Sequence, residues 1–464
     1  MSLLIKLRKS VILLIKFMIT VAVTAGFIQV WVVNYTESLF SSRGNYVVIF
    51  SFVLLFATFS SLYGAFKIGI YRVHEIIYCF LLSIIFTNTV MYLELSLIAR
   101  ELVAVPPLLL GIVYQFAAAT LGSVCANIIY FKLYAARKVV AIFSDDVYGF
   151  ELIKKMSRIT TRFKIESGLN AERSTFEQIK RQIDKYEAVV ICGIDKNMQK
   201  QIISYCYTKE KRTYLLPDIT DIIVNNSYNI QISDTPVLMS RNRGLTLEQR
   251  AVKRFFDIFV SAVGIILTLP ITLLCAAAIK LDDGGPIFYK QNRITKDGLI
   301  FNILKFRSMR TDAEEDGAKK AVNDDDRITR VGRIIRACRV DELPQLINIF
   351  LGDMSLVGPR PERIENVYEY SDKYPEFELR HKVKAGLTGF AQLYGKYNTS
   401  PEDKLHMDLI YIENYSLLLD LKLIILTVKV LFMKESTEGF DKSVNEKPSN
   451  QANESSPEDE NNEN

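Results

Sequence analysis

The sequence predicts a membrane α-helical bundle, followed by a small α/β domain and then by a mostly helical domain held at the membrane surface. Three observations support this fold class. Four long apolar runs lie near the start of the chain, short apolar runs then alternate with helical patterns, and a fifth long apolar run carries a proline near its middle. The mean hydropathy of +0.14 is high for a soluble enzyme. Apolar residues must therefore be concentrated in segments.

The first domain, residues 1–137, is predicted to be a four-helix transmembrane anchor. Each apolar run is close to the ~20 residues that cross a bilayer. The first run is too long for a signal peptide and lacks a small-residue cleavage site. Basic residues precede the first run and follow the second and fourth, so the positive-inside rule places both ends of the bundle in the cytoplasm. The runs are Val11–Val33, Tyr46–Phe66, Ile76–Ala99 and Pro106–Phe131.

The second domain, residues 138–245, has the pattern of a small parallel α/β unit. Its predicted strands are Val139–Phe143, Ala188–Cys192 and Thr213–Leu216, and helical patterns lie between them. A dinucleotide-binding Rossmann domain would carry a glycine-rich turn after its first strand. Here Asp145 and Asp146 follow that strand, and their carboxylates would repel a phosphate. We interpret this unit as a degenerate Rossmann-like domain with a structural or regulatory role.

The fifth apolar run, Ile258–Leu281, is long enough to cross a membrane. Pro270 would bend a helix there because it removes a backbone hydrogen bond. Basic residues flank the run on both sides, so the charge rule gives no reason to translocate the segment after it. We therefore predict a re-entrant helix over residues 256–281 with its kink at Pro270. The alternative is an ordinary fifth span, which would place the rest of the protein outside.

The segment after this run has the residue types of phosphate chemistry. A series of cationic side chains surrounds the acidic pair Asp341-Glu342; it comprises Lys305, Arg307, Arg327, Arg330, Arg333, Arg336 and Arg339. Arginine binds phosphate oxygens in a bidentate way. From the residues alone, the acidic pair is a salt-bridge partner, a magnesium ligand, a nucleophile or a solvated turn. Leu343-Pro344 limits helix continuation, so the pair is expected at the end of an element.

Five motifs in this segment resemble the bacterial sugar transferase family, the monotopic polyprenyl-phosphate phosphoglycosyl transferases. They are Gly285-Pro286, Lys305-Phe306-Arg307, the DELPQ run that begins at Asp341, the GDMSLVGPRP run that begins at Gly352, and the GLTG run that begins at Gly386. The resemblance covers about residues 246–433. Four spans and a Rossmann-like domain ahead of the catalytic part resemble the long-form members, such as the undecaprenyl-phosphate glucose or galactose phosphotransferases.

This resemblance implies that a sugar-1-phosphate passes from a UDP-sugar to undecaprenyl phosphate, with release of UMP, as the first membrane step of exopolysaccharide or capsule synthesis. It implies that Asp341 forms a covalent aspartyl-phosphosugar intermediate and that Glu342 holds Mg²⁺. The implied phosphate- and nucleotide-binding residues are Lys305, Arg307, Arg336, Pro359 and Arg360. The implied catalytic domain, residues 246–434, lies on the cytoplasmic face of the bacterial inner membrane. UDP-glucose or UDP-galactose is the favoured donor.

Four positions depart from the usual family pattern. Arg339-Val340 stands where Ser-Leu usually precedes the catalytic aspartate, and an extra cation there would alter sugar or nucleotide preference. Ala385 replaces a proline and Phe390 replaces a tryptophan, and neither touches the expected chemistry. All of the charged positions that the chemistry needs are present.

Two rival functions remain open from the sequence. A non-catalytic scaffold for polysaccharide assembly would not need Asp341, and a polytopic transporter would need Ile258–Leu281 to cross the membrane. The net charge of +5 is too small to indicate nucleic-acid binding. The bundle and the α/β unit offer surfaces for a homodimer. Residues 435–464 carry nine acidic residues and two lysines, and their composition predicts a disordered tail.

Overall fold

The structure is a computed structural model that describes residues 2–35, 42–144, 153–154, 156–157, 162–240, 244–311, 325–395 and 399–431. The chain divides into two compact units, Met1–Leu238 and Met239–Asn464. The described part is mostly helical and contains a small parallel sheet, as the sequence predicted. The acidic segment 435–464 lies outside the described residues.

Four long apolar helices begin the first unit: α1 (Ser2–Asn34), α2 (Ser42–Tyr63), α3 (Val73–Ala99) and α4 (Val105–Leu133). α1 packs against α4, α2 packs against α3, and α3 packs against α4. Buried Phe27 of α1 stacks on Phe52 of α2, which in turn stacks on Phe56 of the same helix. The predicted run Tyr46–Phe66 extends too far, because Gly64 adopts a left-handed backbone conformation (φ +79°) and α2 ends before it.

A four-stranded parallel sheet follows, in the order β2-β1-β3-β4. Its strands are β1 (Arg137–Phe143), β2 (Phe163–Asn170), β3 (Ala188–Cys192) and β4 (Arg212–Leu215), and its helices are α5 (Phe176–Ile183), α6 (Lys196–Thr208) and α7 (Ile219–Asn225). β2 was not predicted from the sequence. As an edge strand it alternates half-buried and exposed residues, so it lacks the continuous apolar run by which the other three strands were recognised.

Two further features concern this unit. Strands β5 (Tyr228–Ile232) and β6 (Thr235–Met239) form a two-stranded sheet that was not predicted. Asp145 and Asp146, which suggested the degenerate character of the domain, lie outside the described residues, and so does most of the helical pattern at 149–157. The degenerate character of the domain therefore stays a prediction.

The second unit begins with the 37-residue helix α8 (Leu247–Asp283). The remaining α-helices and β-strands are β7 (Phe288–Ile294), β8 (Ile300–Phe306), α9 (Arg330–Ala337), α10 (Gln345–Leu351), β9 (Ser355–Val357), α11 (Ile364–Lys373), β10 (Gly386–Thr388), α12 (Phe390–Tyr394), α13 (Pro401–Glu413) and α14 (Leu417–Leu431). β7 and β8 form an antiparallel hairpin, and β9 pairs with β10 in parallel.

α8 is the fifth helix, among the described residues, that is long and apolar enough to cross a membrane; the other four are α1 to α4. Thr246 and Gln249 form a capping box at its start, and Gly284 ends it with φ +74°. The helix continues through Pro270, which is exposed. Apolar side chains around this proline are also exposed, among them Ile266, Leu267, Leu273 and Leu274.

The N-terminal part of α8 is fixed to the second unit by buried polar contacts. Lys253 lies 2.5 Å from Asp420 of α14, and both side chains are almost fully buried. Asp257 accepts hydrogen bonds from the Ser355 hydroxyl (3.1 Å) and from the backbone N–H of Leu356 (3.0 Å), both in β9. Because a buried charge is costly unless it is paired, these contacts hold α8 in one position against β9 and α14.

The C-terminal part of α8 packs against other elements of the same unit. Ile279 forms a buried cluster with Phe306 of β8 and Ile335 of α9. Asp283 forms an ion pair with Arg307, which follows β8. Both ends of α8 therefore contact other elements of the second unit, while the part around Pro270 is exposed.

Candidate active site

The acidic pair Asp341-Glu342 lies in a short 3₁₀ turn, Val340–Glu342, between α9 and α10. Arg339 precedes the turn in a left-handed conformation with φ +54°, which is strained for a residue with a side chain. Leu343 and Pro344 then lead into α10. The pair is thus at the end of an element, where the sequence placed it.

Glu342 brings together two cations that are distant in the sequence. Its Oε1 lies 3.3 Å from Nη2 of Arg360 and 3.6 Å from Nζ of Lys305. Lys305 is carried by β8, and Arg360 lies in the loop after β9. Burial would raise the pKa of Glu342, but the charges of Lys305, Arg360 and Arg339 outweigh burial and lower the pKa to about 2. Glu342 is therefore an anion at neutral pH.

Asp341 has the opposite electrostatic character. Burial, together with the charge of Glu342, raises the pKa of Asp341 to about 6, although Lys305, Arg336 and Arg360 act in the lowering direction. Two adjacent carboxyl groups with different pKa values are typical of catalytic sites, where each group has its own role. At neutral pH Asp341 is ionised and remains more basic than an ordinary aspartate.

The loop that carries Arg360 depends on close backbone packing. A side chain at Gly358 would collide with the backbone oxygen of Lys384, which lies 2.3 Å from the position of its Cβ. Gly386 donates its N–H to the Pro359 carbonyl at 2.8 Å, and Pro359 is buried. Glycine and proline here therefore build a fixed loop, from which the half-exposed Arg360 side chain extends to Glu342.

The part of the chain that holds this site is similar to known proteins. A family model described as bacterial sugar transferase matches residues 248–434. A UDP-glucose:undecaprenyl-phosphate glucose-1-phosphate transferase of Caulobacter vibrioides is 38% identical over 215 residues, which are 45% of this chain and 80% of that protein. The chain belongs to the bacterial sugar transferase family.

Two other family members show similarity over shorter shares of their length. A UDP-glucose:undecaprenyl-phosphate glucose-1-phosphate transferase of Klebsiella pneumoniae is 34% identical over 279 residues, 59% of this chain and 58% of that protein. A UDP-N-acetylgalactosamine-undecaprenyl-phosphate N-acetylgalactosaminephosphotransferase of Aeromonas hydrophila is 41% identical over 183 residues, 39% of this chain and 43% of that protein. The chain thus spans about half the length of these two curated relatives.

The other residues that the family resemblance singled out have different surroundings. Arg336, in the last turn of α9, is half-buried, and its charge acts on Asp341. Arg307 is buried, and its guanidinium pairs with Asp283 instead of the acidic pair. Of the wider cationic series, Arg327 forms a two-pronged ion pair with Asp325. The structure therefore places Lys305, Arg336 and Arg360 around the acidic pair, and gives Arg307 a structural contact.

A small pocket at Glu342 contains residues that were not predicted from the sequence. Its lining residues are Arg293, Ile303, Lys305, Glu342, Gln345, Arg360, Pro361, Gly386 and Leu387. Burial, and then the neighbouring charge of Arg360, lower the pKa of Arg293 to about 10. Arg293 comes shortly after the Gly285-Pro286 motif, but no spacing signal links it to Asp341, because only the β7–β8 hairpin brings it there.

The donor set of the pocket fits a magnesium ion that is shared with a phosphate ligand. No group of three or more His, Cys, Asp or Glu residues within the described ranges is arranged to hold a metal. Magnesium, however, is commonly bound by one or two carboxylates together with substrate phosphates and water. The contacts of Glu342 with Lys305 and Arg360 both fall on Oε1. Its Oε2 takes part in neither contact, so this carboxylate oxygen would hold the cation beside a phosphate ligand.

Proposed function

We propose that this protein transfers a sugar-1-phosphate from a UDP-sugar to undecaprenyl phosphate, as a membrane step of exopolysaccharide synthesis. The observation that carries the proposal is the acidic turn in contact with Lys305 and Arg360, beside a pocket that also holds Arg293. Three cations and one carboxylate line this pocket, and an excess of positive charge suits a diphosphate. The names of the Klebsiella and Caulobacter relatives describe the same transfer.

The proposed reaction has two displacements at one phosphorus atom. In the first, a carboxylate oxygen of Asp341 bonds to the β-phosphorus of the UDP-sugar, the bond from that phosphorus to the bridging oxygen breaks, and UMP leaves with the electron pair. In the second, a phosphate oxygen of undecaprenyl phosphate bonds to the same phosphorus and the bond to Asp341 breaks. The carboxylate is regenerated, and the product is a lipid diphosphosugar. This division lets UMP leave before the lipid reacts.

The surrounding side chains are proposed to neutralise charge on the phosphate oxygens. Lys305 and Arg360 lie at the acidic turn, and Arg336 acts on Asp341 from α9. Preorganised cations stabilise a phosphoryl-transfer transition state mainly by electrostatics. Glu342 would hold Mg²⁺, which when bound would neutralise the diphosphate further. Arg307 contributes by fixing Asp283 and the end of α8, and Pro359 by fixing the loop of Arg360.

The acceptor is a membrane lipid, and the proposed topology brings the site to it. We propose that α1 to α4 form a four-span anchor, that α8 is re-entrant with its bend at Pro270, and that the catalytic domain faces the cytoplasm. A straight 37-residue helix would be about 55 Å long, well beyond a hydrocarbon core of about 30 Å. The contacts of Asp257 and Asp283 with one compact unit support a helix that enters and leaves on the same face.

Labelling of the native Cys338 tests this topology. Cys338 is exposed and lies after α8. Cys125, which is exposed within α4, is removed by the substitution Cys125→Ser. We expect a membrane-impermeant maleimide to label Cys338 in inside-out vesicles and not in intact cells. A Leu102→Cys variant, in the loop between α3 and α4, serves as the externally labelled control, and Ser308→Cys gives a second position after α8. Labelling of Cys338 from outside would make α8 an ordinary span.

The pH dependence of the first displacement tests the role of Asp341. Because burial raises the pKa of Asp341 to about 6, the nucleophilic carboxylate is lost as the pH falls through 6. We expect the rate of UMP release in a single turnover to fall about tenfold per pH unit below that value. Undecaprenyl phosphate is omitted, since a phosphate monoester itself titrates near pH 6. A rate that stays constant from pH 7 to pH 5 would contradict the assignment.

The donor sugar is decided by an assay of UMP release across a panel of UDP-sugars, with undecaprenyl phosphate and Mg²⁺. We propose UDP-glucose or UDP-galactose, although the Aeromonas relative is named for N-acetylgalactosamine. Release with one sugar identifies both the reaction and the donor. Silence across the panel, with intact protein and lipid, would overturn the proposed transfer and favour a scaffold role.

The α/β domain is proposed to be a degenerate, non-catalytic Rossmann-like module in either case.

A further inference from the structure

The backbone of the segment that carries Arg360 is bound from several sides. The carbonyl of Arg360 accepts a hydrogen bond from Nη2 of Arg380 at 2.9 Å, and the carbonyl of Pro361 accepts one from Nη1 of Arg293 at 3.1 Å. On the other side, Gly386 holds the Pro359 carbonyl. The three consecutive carbonyls of Pro359, Arg360 and Pro361 thus each accept a hydrogen bond. Their side-chain donors come from outside the DELPQ and GPRP motifs.

The Arg360 side chain itself is weakly held. It is 43% exposed, and its contact with Glu342, 3.3 Å long, is the one ion pair that the described residues provide for it. A long, half-exposed side chain loses considerable rotamer freedom when it is held in one place. Its direction toward the acidic turn must therefore come mainly from the orientation of its own backbone.

Arg380 is the buried donor to that backbone, and a second charge holds it in place. Nη2 of Arg380 also lies 2.7 Å from Oδ2 of Asp408 on α13, and both side chains are 1% exposed. Nε and Nη1 of Arg380 and Oδ2 of Asp408 have no hydrogen-bond partner within the described residues, so the 2.7 Å contact is an ion pair without hydrogen-bond geometry. One nitrogen therefore carries the contacts with both Asp408 and the Arg360 carbonyl. The guanidinium also lies 4.7 Å above the ring centre of Phe377.

A buried ion pair of this kind contributes little net free energy to folding. The cost of removing both charges from water often equals or exceeds their attraction, and apolar residues of similar volume are frequently as stable. A contribution to folding stability is thus a weak reason for the pair. The hydrogen bond from Arg380 to the Arg360 carbonyl is a stronger reason for the pair. α13 also places Lys404, one turn before Asp408, 3.3 Å from Glu362, the second residue after Arg360.

We propose that Arg380 and Asp408 are positioning residues that act through Arg360. Asp408 orients Arg380, Arg380 fixes the carbonyl of Arg360, and the Arg360 side chain is thereby aimed at the phosphate that reacts with Asp341. The proposal rests on the proposed sugar-phosphate transfer. It extends the site from the acidic turn to α13. This helix lies outside both the DELPQ and the GPRP motifs.

The test is the paired substitution Arg380→Met/Asp408→Leu, assayed by UMP release in the full-length protein. Removing both charges avoids an unpaired buried ion, so the protein should fold, but the Arg360 carbonyl loses its donor. We expect kcat to fall about 10- to 100-fold, the range seen when supporting contacts of a site are removed. The matched control is Lys373→Met/Glu369→Leu, an exposed ion pair of α11, which should leave kcat unchanged.

A combination with Arg360→Ala separates positioning from a general effect on structure. If the pair acts through Arg360, the triple variant should be no slower than Arg360→Ala alone. A second pair, Arg380→Gln/Asp408→Asn, keeps an amide donor without the charges. It should retain more activity than the apolar pair, and it replaces that pair in the test if the apolar pair fails to fold.

The outcomes are distinguishable from failure of the proposed function. If wild type releases no UMP, the transfer reaction is wrong. If wild type is active and the folded double variant is equally active, the positioning role is wrong. It is also wrong if the losses of the pair and of Arg360→Ala multiply in the triple variant, because the pair would then act by another route.

Discussion

The Asp341→Asn variant is expected to lose UMP release by about 10⁴-fold or more, the scale on which removal of a catalytic nucleophile acts. An amide at this position cannot form the covalent bond to phosphorus, although it preserves the size and the hydrogen-bonding shape of the side chain. The measurement is UMP release by wild type and variant side by side with the preferred UDP-sugar. Asp372→Asn, an exposed aspartate of α11, is the control and should retain full activity.

The same variant should be more stable than wild type, which distinguishes catalysis from structure. Because the folded-state pKa of Asp341 is raised to about 6, above that of an unfolded aspartate, the ionised carboxylate destabilises the fold above pH 6. Protonation relieves this cost as the pH falls through 6 toward the unfolded pKa. We expect Asp341→Asn to raise the free energy of unfolding by about 0.5–2 kcal/mol at pH 8 without Mg²⁺, and by little at pH 4.

Thermal melting at the two pH values checks this difference. A variant that is inactive and also melts well below wild type at pH 8 would indicate a structural role for Asp341. Full activity in the folded variant would remove Asp341 as the nucleophile.

The Glu342→Gln variant is expected to show the second largest effect, a loss of about 100-fold or more at limiting Mg²⁺. The substitution removes the anion at which Lys305 and Arg360 meet, and it removes a carboxylate donor that magnesium prefers. Turnover is measured against Mg²⁺ concentration for wild type, Glu342→Gln and the exposed control Glu365→Gln. The half-saturating Mg²⁺ concentration should rise at least tenfold in Glu342→Gln alone.

This titration separates the two roles of Glu342. If the variant is slow at every Mg²⁺ concentration but its half-saturation is unchanged, Glu342 orients Lys305 and Arg360 and is not a metal ligand. If saturating Mg²⁺ restores most of the activity, metal binding is its main role. Wild-type behaviour in both respects would remove Glu342 from the site.

Much of the fold is readable from local patterns. The apolar runs correspond to helices α1 to α4 because about 20 apolar residues in series have few alternatives to a membrane-capable helix. The predicted run Tyr46–Phe66 extends too far at its C-terminal end, because Gly64 ends α2. The strands β1, β3 and β4 were recognised as short apolar runs bounded by polar turns. β2 was missed since its residues alternate at a sheet edge, and β5 and β6 lie near the surface with few buried side chains.

The candidate site divides in the same way. The sequence by itself determined that Asp341 and Glu342 are adjacent at the end of an element, that Arg360 lies in a rigid Gly-Pro loop, and, through resemblance, which family the chain belongs to. These features depend on neighbouring residues, and backbone sterics connect neighbours directly.

Only the tertiary structure decided which charges meet. Lys305 and Arg360 meet at Glu342, whereas Arg307, equally cationic and two residues from Lys305, pairs with Asp283. Likewise, no pattern in the sequence predicted that Arg293 lines the pocket or that Arg380 pairs with Asp408. The physical reason is that a long side chain can reach many partners, and the partner it obtains depends on how β8, α8 and α13 pack across tens of residues of intervening chain.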